Sequence, residues 1–570
     1  MKKTITFFAL AAVMFLFIAP SQSLGQTADT LWINAHPIGN IDKVINGDTT
    51  STGARAHPNR VYALYRDSVY LLDATISVNG NINLFGASGT TAPPVIAPTI
   101  LPDNSSPVVF VGLTKQGSSA SFKNIYFLNI RPDQNNPNLS SNNAIQVFAD
   151  SIRVMADSCY FDAIGNSAFI TTGEWTKFFV SDCEFRNSQN PAAWFFGTAI
   201  LAEQPDVDSV VMVNNTMFYQ SSYAYVITGY NSYFKFEHNT IFLNMTNPLN
   251  IFYGTNVVIK NNIFFATEAP ASDSVEMANY YYENYPFISG IISLDTAISG
   301  LTPAVSNKTR IATVDNNSYF WPSFLTNFYT TYNDTVTRKE TVGTDTVLAK
   351  LYPSVWMNSF TEGLFNDPTD YPGLSAKNNV NADPGFNTTV QSQFSSALAY
   401  IIRIILPNST TNSMWQFMPP SGVLFPPTWP LPENLSYTNT TLQTAGTDGL
   451  PLGDLNWYPS AHEKYVTGVT VNKGSQLPAA FSLSNAYPNP FNPSTNIQFS
   501  IAKTENVKLE VFNILGQKIA TLVNSQVKPG NYTATWNGKN EFGNQVASGI
   551  YFYRLESQSF NATKKMILMK

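Results

Sequence analysis

Three side chains near the middle of the chain, Asp162, Glu184 and Arg186, are of types that could do chemistry together. Two carboxylates can hold a cation, and an arginine beside them can attend a proton being abstracted. These residues also have a plainer reading. Laying the segment around Phe185 over the one around Phe161 puts Asp162 beside Arg186, and the same operation further along puts Glu237 beside Lys260. Opposite charges alternating in this way make cross-strand ion pairs, each worth at most about 1 kcal/mol on an exposed face. A cation site instead needs its carboxylates gathered. The alternation favours ion pairs.

Aromatic clusters are the second candidate. Trp194-Phe195-Phe196 and Tyr280-Tyr281-Tyr282, the latter followed by Tyr285 and Phe287, fall in stretches that interrupt an otherwise regular pattern. Loops carry function more often than scaffolds do. Trp194, Phe195, Tyr281 and Tyr285 are therefore candidates for stacking on the C–H faces of sugar rings. The competing reading, that the rings seal a loop onto the scaffold, is favoured because buried aromatic area stabilises by about 25 cal/mol per Å².

Cys159 and Cys183 are the two cysteines, and His36, His57, His238 and His462 the four histidines. Neither set has the spacing of metal ligands, so no metal or cofactor is expected. The cysteines recur at the same point of two successive segments. If those segments are adjacent strands, their backbones lie about 4.8 Å apart. That separation permits a disulfide but sits wide for the preferred Cβ distance, so stacked interior thiols are favoured over a Cys159–Cys183 bond.

These groups must be positioned by something, and the chain shows what. Charged residues are only 12% of the 570, aromatics are 14%, and the net charge is −6 with no basic cluster. Apolar residues at 44% allow a large core, and the charge balance argues against a nucleic-acid partner. A short motif recurs, a polar pair, two residues, then Phe: Lys123-Asn124 to Phe127, Asp157-Ser158 to Phe161, Ser181-Asp182 to Phe185, Asn214-Asn215 to Phe218, His238-Asn239 to Phe242, Asn261-Asn262 to Phe265 and Asn316-Asn317 to Phe320. The intervals between successive phenylalanines are 34, 24, 33, 24, 23 and 55. A short basic period lengthened by insertions, with strand-like alternation around each motif, is the mark of a β-solenoid. Stacking should place Asn124, Asn215, Asn239, Asn262 and Asn317 in a ladder of amides and the phenylalanines in an interior column.

The repeated Asn-Asn-x-x-Phe pattern, over roughly residues 60 to 386, resembles the right-handed parallel β-helix superfamily that includes pectate lyases. That resemblance implies an all-β scaffold active toward sugars or binding them. Two functions follow: a secreted or cell-surface protein that binds polysaccharide or mediates adhesion without catalysis, or a polysaccharide lyase or glycoside hydrolase. The lyase alternative would use Asp162, Glu184 and Arg186, with calcium as the cation. Paired carboxylates for glycoside hydrolysis are not evident in register. Binding is the favoured reading.

The two ends of the chain are addresses. Met1-Lys2-Lys3, an apolar run from Phe7 to Ile18, and the small residues around Ser23 and Gly25 read as a signal peptide cleaved after Gly25. No second segment is long and apolar enough to span a membrane. From Leu477, six alternating segments separated by turn residues read as a small Ig-like β-sandwich. Within it, Tyr487-Pro488-Asn489-Pro490, Val511-Phe512-Asn513-Ile514-Leu515-Gly516, Gly530-Asn531-Tyr532, Gly549-Ile550-Tyr551 and Lys564-Lys565 closely resemble the type A sorting domain of the type IX secretion system. The resemblance implies periplasmic transit, recognition by the outer-membrane translocon and a sortase, and release or surface attachment. The expected division is a signal peptide (1–25), a β-helix (26–386), its cap and linker (387–476) and the sorting sandwich (477–570).

Overall fold

The computed structural model describes residues 29–569 apart from 36–39, 100, 102, 104, 131–142, 190–195, 203–204, 228, 252, 274–289, 295–305, 343–344, 406–421, 468, 472–479, 493, 528, 539 and 541–545. The segment expected to be a signal peptide, residues 1–25, lies outside the described residues. Among those described, no helix is long and apolar enough to cross a membrane.

Each complete coil of the solenoid contributes one strand to each of three parallel sheets. In one coil these are Asn143–Val147, Arg153–Asp157 and Tyr160–Asp162. Among the described residues, the first sheet has eleven strands from Thr30–Ile33 to Leu374–Lys377, and the second has ten from Val69–Leu72 to Val380–Asn381. The third has nine, from Ile76–Val78 to Val355–Met357. This is a parallel β-helix. Its interior is a continuous apolar cluster running from Ile33 to Leu364.

A two-residue turn joins the first sheet to the second in every regular coil, and its two positions have different jobs. The first position is left-handed, with φ between 52° and 61° at Asn124, Ser158, Asp182, Asn214, His238, Asn261, Asn316 and Asn378. Short polar side chains tolerate that conformation, which explains the excess of Asn and Asp. The second position points inward and carries the ladder. Asn215 Nδ2 donates to Asn239 Oδ1 at 2.9 Å, Asn239 to Asn262 at 3.2 Å, Asn262 to Asn317 at 2.8 Å and Asn317 to Asn379 at 2.9 Å. Each Oδ1 also accepts the backbone N–H of the preceding rung, as Asn239 does from Asn215 at 3.0 Å. Each Nδ2 reaches a buried carbonyl, Met212 for Asn239 and Phe236 for Asn262. The ladder thereby satisfies turn backbone that no strand can pair.

Two expectations are corrected by this register. Asn124 is not a rung: it holds the left-handed position and donates to Gly86 O, and Ile125 lines the interior beneath it. The phenylalanines do not form one interior column either. Phe127, Phe161 and Phe185 stack inside, with centroids 5.2 and 5.1 Å apart. Phe185 then pairs with Met217, so Phe218, Phe242 and Phe265 continue the column of Arg186 on the outer face. The motif pair covers strand end plus turn in the first three coils and the whole turn thereafter, a slip of one residue that reverses which way the aromatic points.

The ladder continues past Asn215 into sulfur. Cys183 N donates to Asn215 Oδ1 at 3.0 Å, and Cys159 N approaches Cys183 Sγ at 3.4 Å. Both cysteines are buried free thiols.

The terminal unit begins at Pro459. It contains two four-stranded antiparallel sheets. In chain order the strands are Val469–Val471, Ser482–Leu483, Thr495–Ile501, Glu505–Asn513, Lys518–Val527, Gly530–Trp536, Gly549–Ser557 and Asn561–Leu568. Six of these match the alternating segments of the sequence. Val469–Val471, which pairs with Gly530–Trp536, lies upstream of Leu477, so the sandwich takes in residues assigned above to the linker.

Candidate functional site

The outward face of the second sheet carries two side-chain columns. One runs Val95, Tyr126, Tyr160, Glu184, Thr216, Thr240 and Ile263. The other runs Leu128, Asp162, Arg186, Phe218, Phe242 and Phe265. A face this apolar must be covered, and residues 424–458 cover it. Leu424, Phe425 and Leu431 pack on Val95, Tyr126 and Leu128, while Leu435, Tyr437, Leu442 and Leu452 pack on Phe218, Phe242 and Phe265. The stretch expected to cap the end of the solenoid therefore runs along its side as a strap. The helix Phe394–Ile405 adds Phe394 against Phe242 and Phe265.

Asp162, Glu184 and Arg186 do come together, under this strap. They are 3%, 7% and 4% exposed. Arg186 NH1 donates to Asp162 Oδ2 at 2.7 Å and to the Tyr126 hydroxyl at 3.1 Å, and that hydroxyl donates to the same carboxylate oxygen at 2.6 Å. Asn187 Nδ2 donates to Asp162 Oδ1 at 3.1 Å. From the strap, Glu433 Oε1 lies 2.5 Å from Arg186 Nε, and Glu184 Oε1 lies 3.7 Å from the same atom. Burial pushes the Glu184 carboxyl well above the ordinary carboxylate range, and neighbouring Glu433 pushes it further. Burial likewise raises the Tyr126 hydroxyl, with Asp162 adding to it. For Arg186 burial opposes the charge, but Asp162 and Glu433 outweigh it and hold the guanidinium charged.

The pairing of Asp162 with Arg186 is thus as expected in register but not in setting: it is a buried pair closed over by chain. The other expected pair is rearranged. Glu237 is in register with Lys260, but its ion pair is with Lys235 on its own strand. Glu433 and Tyr126 are the members of the cluster that sequence reasoning missed. A signal for Glu433 exists in Leu431-Pro432-Glu433-Asn434-Leu435, an acidic residue alternating with leucines next to a proline-rich stretch.

Further polar contacts fix the strap. His238 Nε2 lies 2.8 Å from Asp448 Oδ2, Asn261 Oδ1 accepts Thr447 N at 2.8 Å, and Asn316 Nδ2 donates to Ala445 O at 2.6 Å. Thr216 Oγ1 donates to Asp454 Oδ2 at 2.7 Å and accepts from Trp457 Nε1 at 3.0 Å. The left-handed turn residues therefore serve twice, as corners of the coil and as docking points. Among the described residues, no three His, Cys, Asp or Glu side chains are grouped to hold a metal ion. Trp194, Phe195, Tyr281 and Tyr285 lie outside the described residues.

In the terminal unit the motif residues build one end of the sandwich. Asn489 Oδ1 accepts Ile567 N at 2.9 Å, Phe491 exchanges backbone hydrogen bonds with Ile567 and Met569, and the Phe491 ring packs on Trp536. Residues 485–569 match the secretion system C-terminal sorting domain. The chain carries a type IX sorting domain and is exported to the cell surface or beyond.

Within the sorting domain, Gly516 takes φ 76° in a turn where Asn513 Oδ1 accepts Leu515 N and Gln517 N, both at 3.0 Å. Tyr532 stacks on Phe499, the Tyr551 hydroxyl donates to Ala547 O, Gly549 opens the strand that carries Tyr551, and Lys564 donates to Asn485 Oδ1. Gly530 opens the strand of Tyr532, Thr495 donates to the Pro488 carbonyl, and Lys565 O faces Asn489. Pro490 follows Asn489 through a cis peptide.

No curated protein matches the chain significantly. One similar solved structure is PorZ, described as an essential bacterial surface component of the type-IX secretion system of Porphyromonas gingivalis. It is 17% identical over 18% of this chain, with a TM-score of 0.13, and the chain spans 13% of its length.

Proposed function

We propose that the exported solenoid works without catalysis, binding polysaccharide or mediating adhesion through its outer surface. The observation that carries this reading is the burial of Asp162, Glu184 and Arg186 beneath residues 424–458. A lyase needs its base and cation open to a polymer chain, whereas these groups face one another away from solvent. The first sheet is the opposite case. Two of its outward columns carry half-exposed charged and aromatic side chains: Lys123, Asp157 and Lys260 in one, Arg153, Lys177 and Tyr233 in the other. Arg153 lies over the Phe179 ring at 4.5 Å. A flat repetitive face of this kind suits a repetitive ligand. The translocon and sortase would act on the sorting domain before this surface is used.

The test is incubation of the exported protein with acidic and neutral polysaccharides. Retention without new chain ends is expected, and its loss in Trp194→Ala or Tyr281→Ala would place binding on the loops. Unsaturated or new reducing ends, strengthened by calcium, would overturn the noncatalytic reading in favour of a lyase or hydrolase.

A further inference from the structure

The buried cluster contains one carboxylate too many. Glu433 is enclosed, and neither of its oxygens accepts a well-aligned N–H or O–H hydrogen bond among the described residues; the Arg186 Nε–H does not point along the 2.5 Å contact. Glu184 Oε1 is also without a donor among the described residues, and the two carboxyl groups converge on the same Arg186 Nε, Glu433 Oε1 at 2.5 Å and Glu184 Oε1 at 3.7 Å. A proton on Glu184 supplies the missing donor.

We propose that Glu184 and Glu433 share a single proton, and that this proton holds the strap of residues 424–458 on the solenoid. The strap is then a pH-sensitive cover over the aromatic face formed by Tyr126, Tyr160, Phe218, Phe242 and Phe265.

The groups facing Glu184 fix the direction. Arg186 and Asp162 flank it on the sheet, Tyr126 and Tyr160 stand in the preceding coils, and Glu433 and Asp454 come from the strap. Ionising Glu184 leaves Asp162, Glu184 and Glu433 around the one guanidinium of Arg186, with Asp454 a further negative charge near Glu184. Because the carboxyl is held above its ordinary value in the closed state, its contribution is complete at low pH and disappears as pH rises through the raised value. The strap loosens toward alkaline pH. Two strap contacts lie apart from Glu184, His238 with Asp448 and Asn261 with Thr447, so opening starts from the Glu433 region.

Hydrogen exchange on the full chain between pH 6 and 10, corrected for intrinsic rates, tests this. Protection of residues 424–458 should fall by about tenfold per pH unit as long as the closed strap keeps the proton that the open strap releases, and level off once the closed state has lost it too, while the Asn215-to-Asn379 ladder strands stay protected. Glu184→Gln, which keeps a donor toward Glu433 at every pH, should abolish the fall. Infrared absorption of a buried protonated carboxyl should be present in the wild type at neutral pH and absent in Glu184→Gln. Should Glu184→Gln misfold by circular dichroism, Glu433→Gln takes its place with the same expected exchange result. Strap protection that is flat with pH in the wild type, an unchanged fall in either folded variant, or absence of the carboxyl band at neutral pH would overturn the proposal.

Discussion

A buried Asn in this solenoid is a junction with no slack. Asn239 accepts two hydrogen bonds from Asn215 and donates to Met212 O, so Asn239→Leu strands two donors and a carbonyl at once. Each orphaned buried group costs about 1–3 kcal/mol, and Asn239→Leu should therefore destabilise by about 3 kcal/mol or more in urea unfolding. Asn124→Gly, one position earlier in its turn, should stay within about 1 kcal/mol, because glycine adopts φ 53° without steric cost and only the 3.4 Å contact to Gly86 O is lost. That contrast marks what was legible at this scale. Asn recurring once per coil announces both a ladder and a coil corner. It does not announce which Asn does which, since left-handed corners and inward rungs favour the same residue for different reasons. The one-residue slip between Phe185 and Phe218 was hidden similarly: Phe is welcome inside the solenoid and equally welcome outside where a strap covers it.

Elements explain why the candidate site was half visible. Strand register alone brings Asp162 and Arg186 side by side, and the repeat period is enough to see that. Whether the face they share meets water depends on residues 424–458, far later in the chain, which have no repeat of their own. Arg186 is what makes that cover tolerable. Arg186→Met leaves the Asp162 and Glu433 carboxylates buried without a cation, and breaking a buried pair from one side costs about 3–5 kcal/mol. Thermal unfolding with tryptophan fluorescence should show that loss, with Trp429 and Trp457 in the strap reporting it; a variant as stable as the parent would mean the cluster is not buried. A second element invites a different prediction. Ile514 and Leu515 in the Asn513–Gln517 turn of the sorting domain are 70% and 78% exposed. Their removal from the surface cannot cost core packing, so Ile514→Asp with Leu515→Asp should leave the sandwich folded. If the turn is what the secretion machinery grips, the amount of protein reaching the surface, measured by fractionation and immunoblotting, should fall at least severalfold.

For the whole molecule, the sorting domain and the solenoid were readable because each is a pattern in sequence order: a series of motifs and a period. The boundary between solenoid and sorting domain was not, because a boundary is set by pairing. Val469–Val471 joins Gly530–Trp536 by antiparallel hydrogen bonds, so a cut at Gln476 would leave a strand of the sandwich behind on the solenoid fragment as an unpaired edge. A cut after Tyr458 divides the chain where its two compact units divide. The solenoid side then keeps its ladder, its strap through Trp457 and all three long sheets. The apolar cluster of the sorting domain, from Leu483 to Leu568, is drawn from its own residues, so the solenoid loses none of its core. A chain ending at Tyr458 should fold with the unfolding midpoint of the full-length solenoid transition and accumulate in the periplasm. The chain ending at Gln476 should be the more aggregation-prone of the two by light scattering. Surface display of the Tyr458-terminated chain would show that export does not depend on the sorting domain, and a collapsed unfolding transition would show that the solenoid needs residues beyond Tyr458 to complete it.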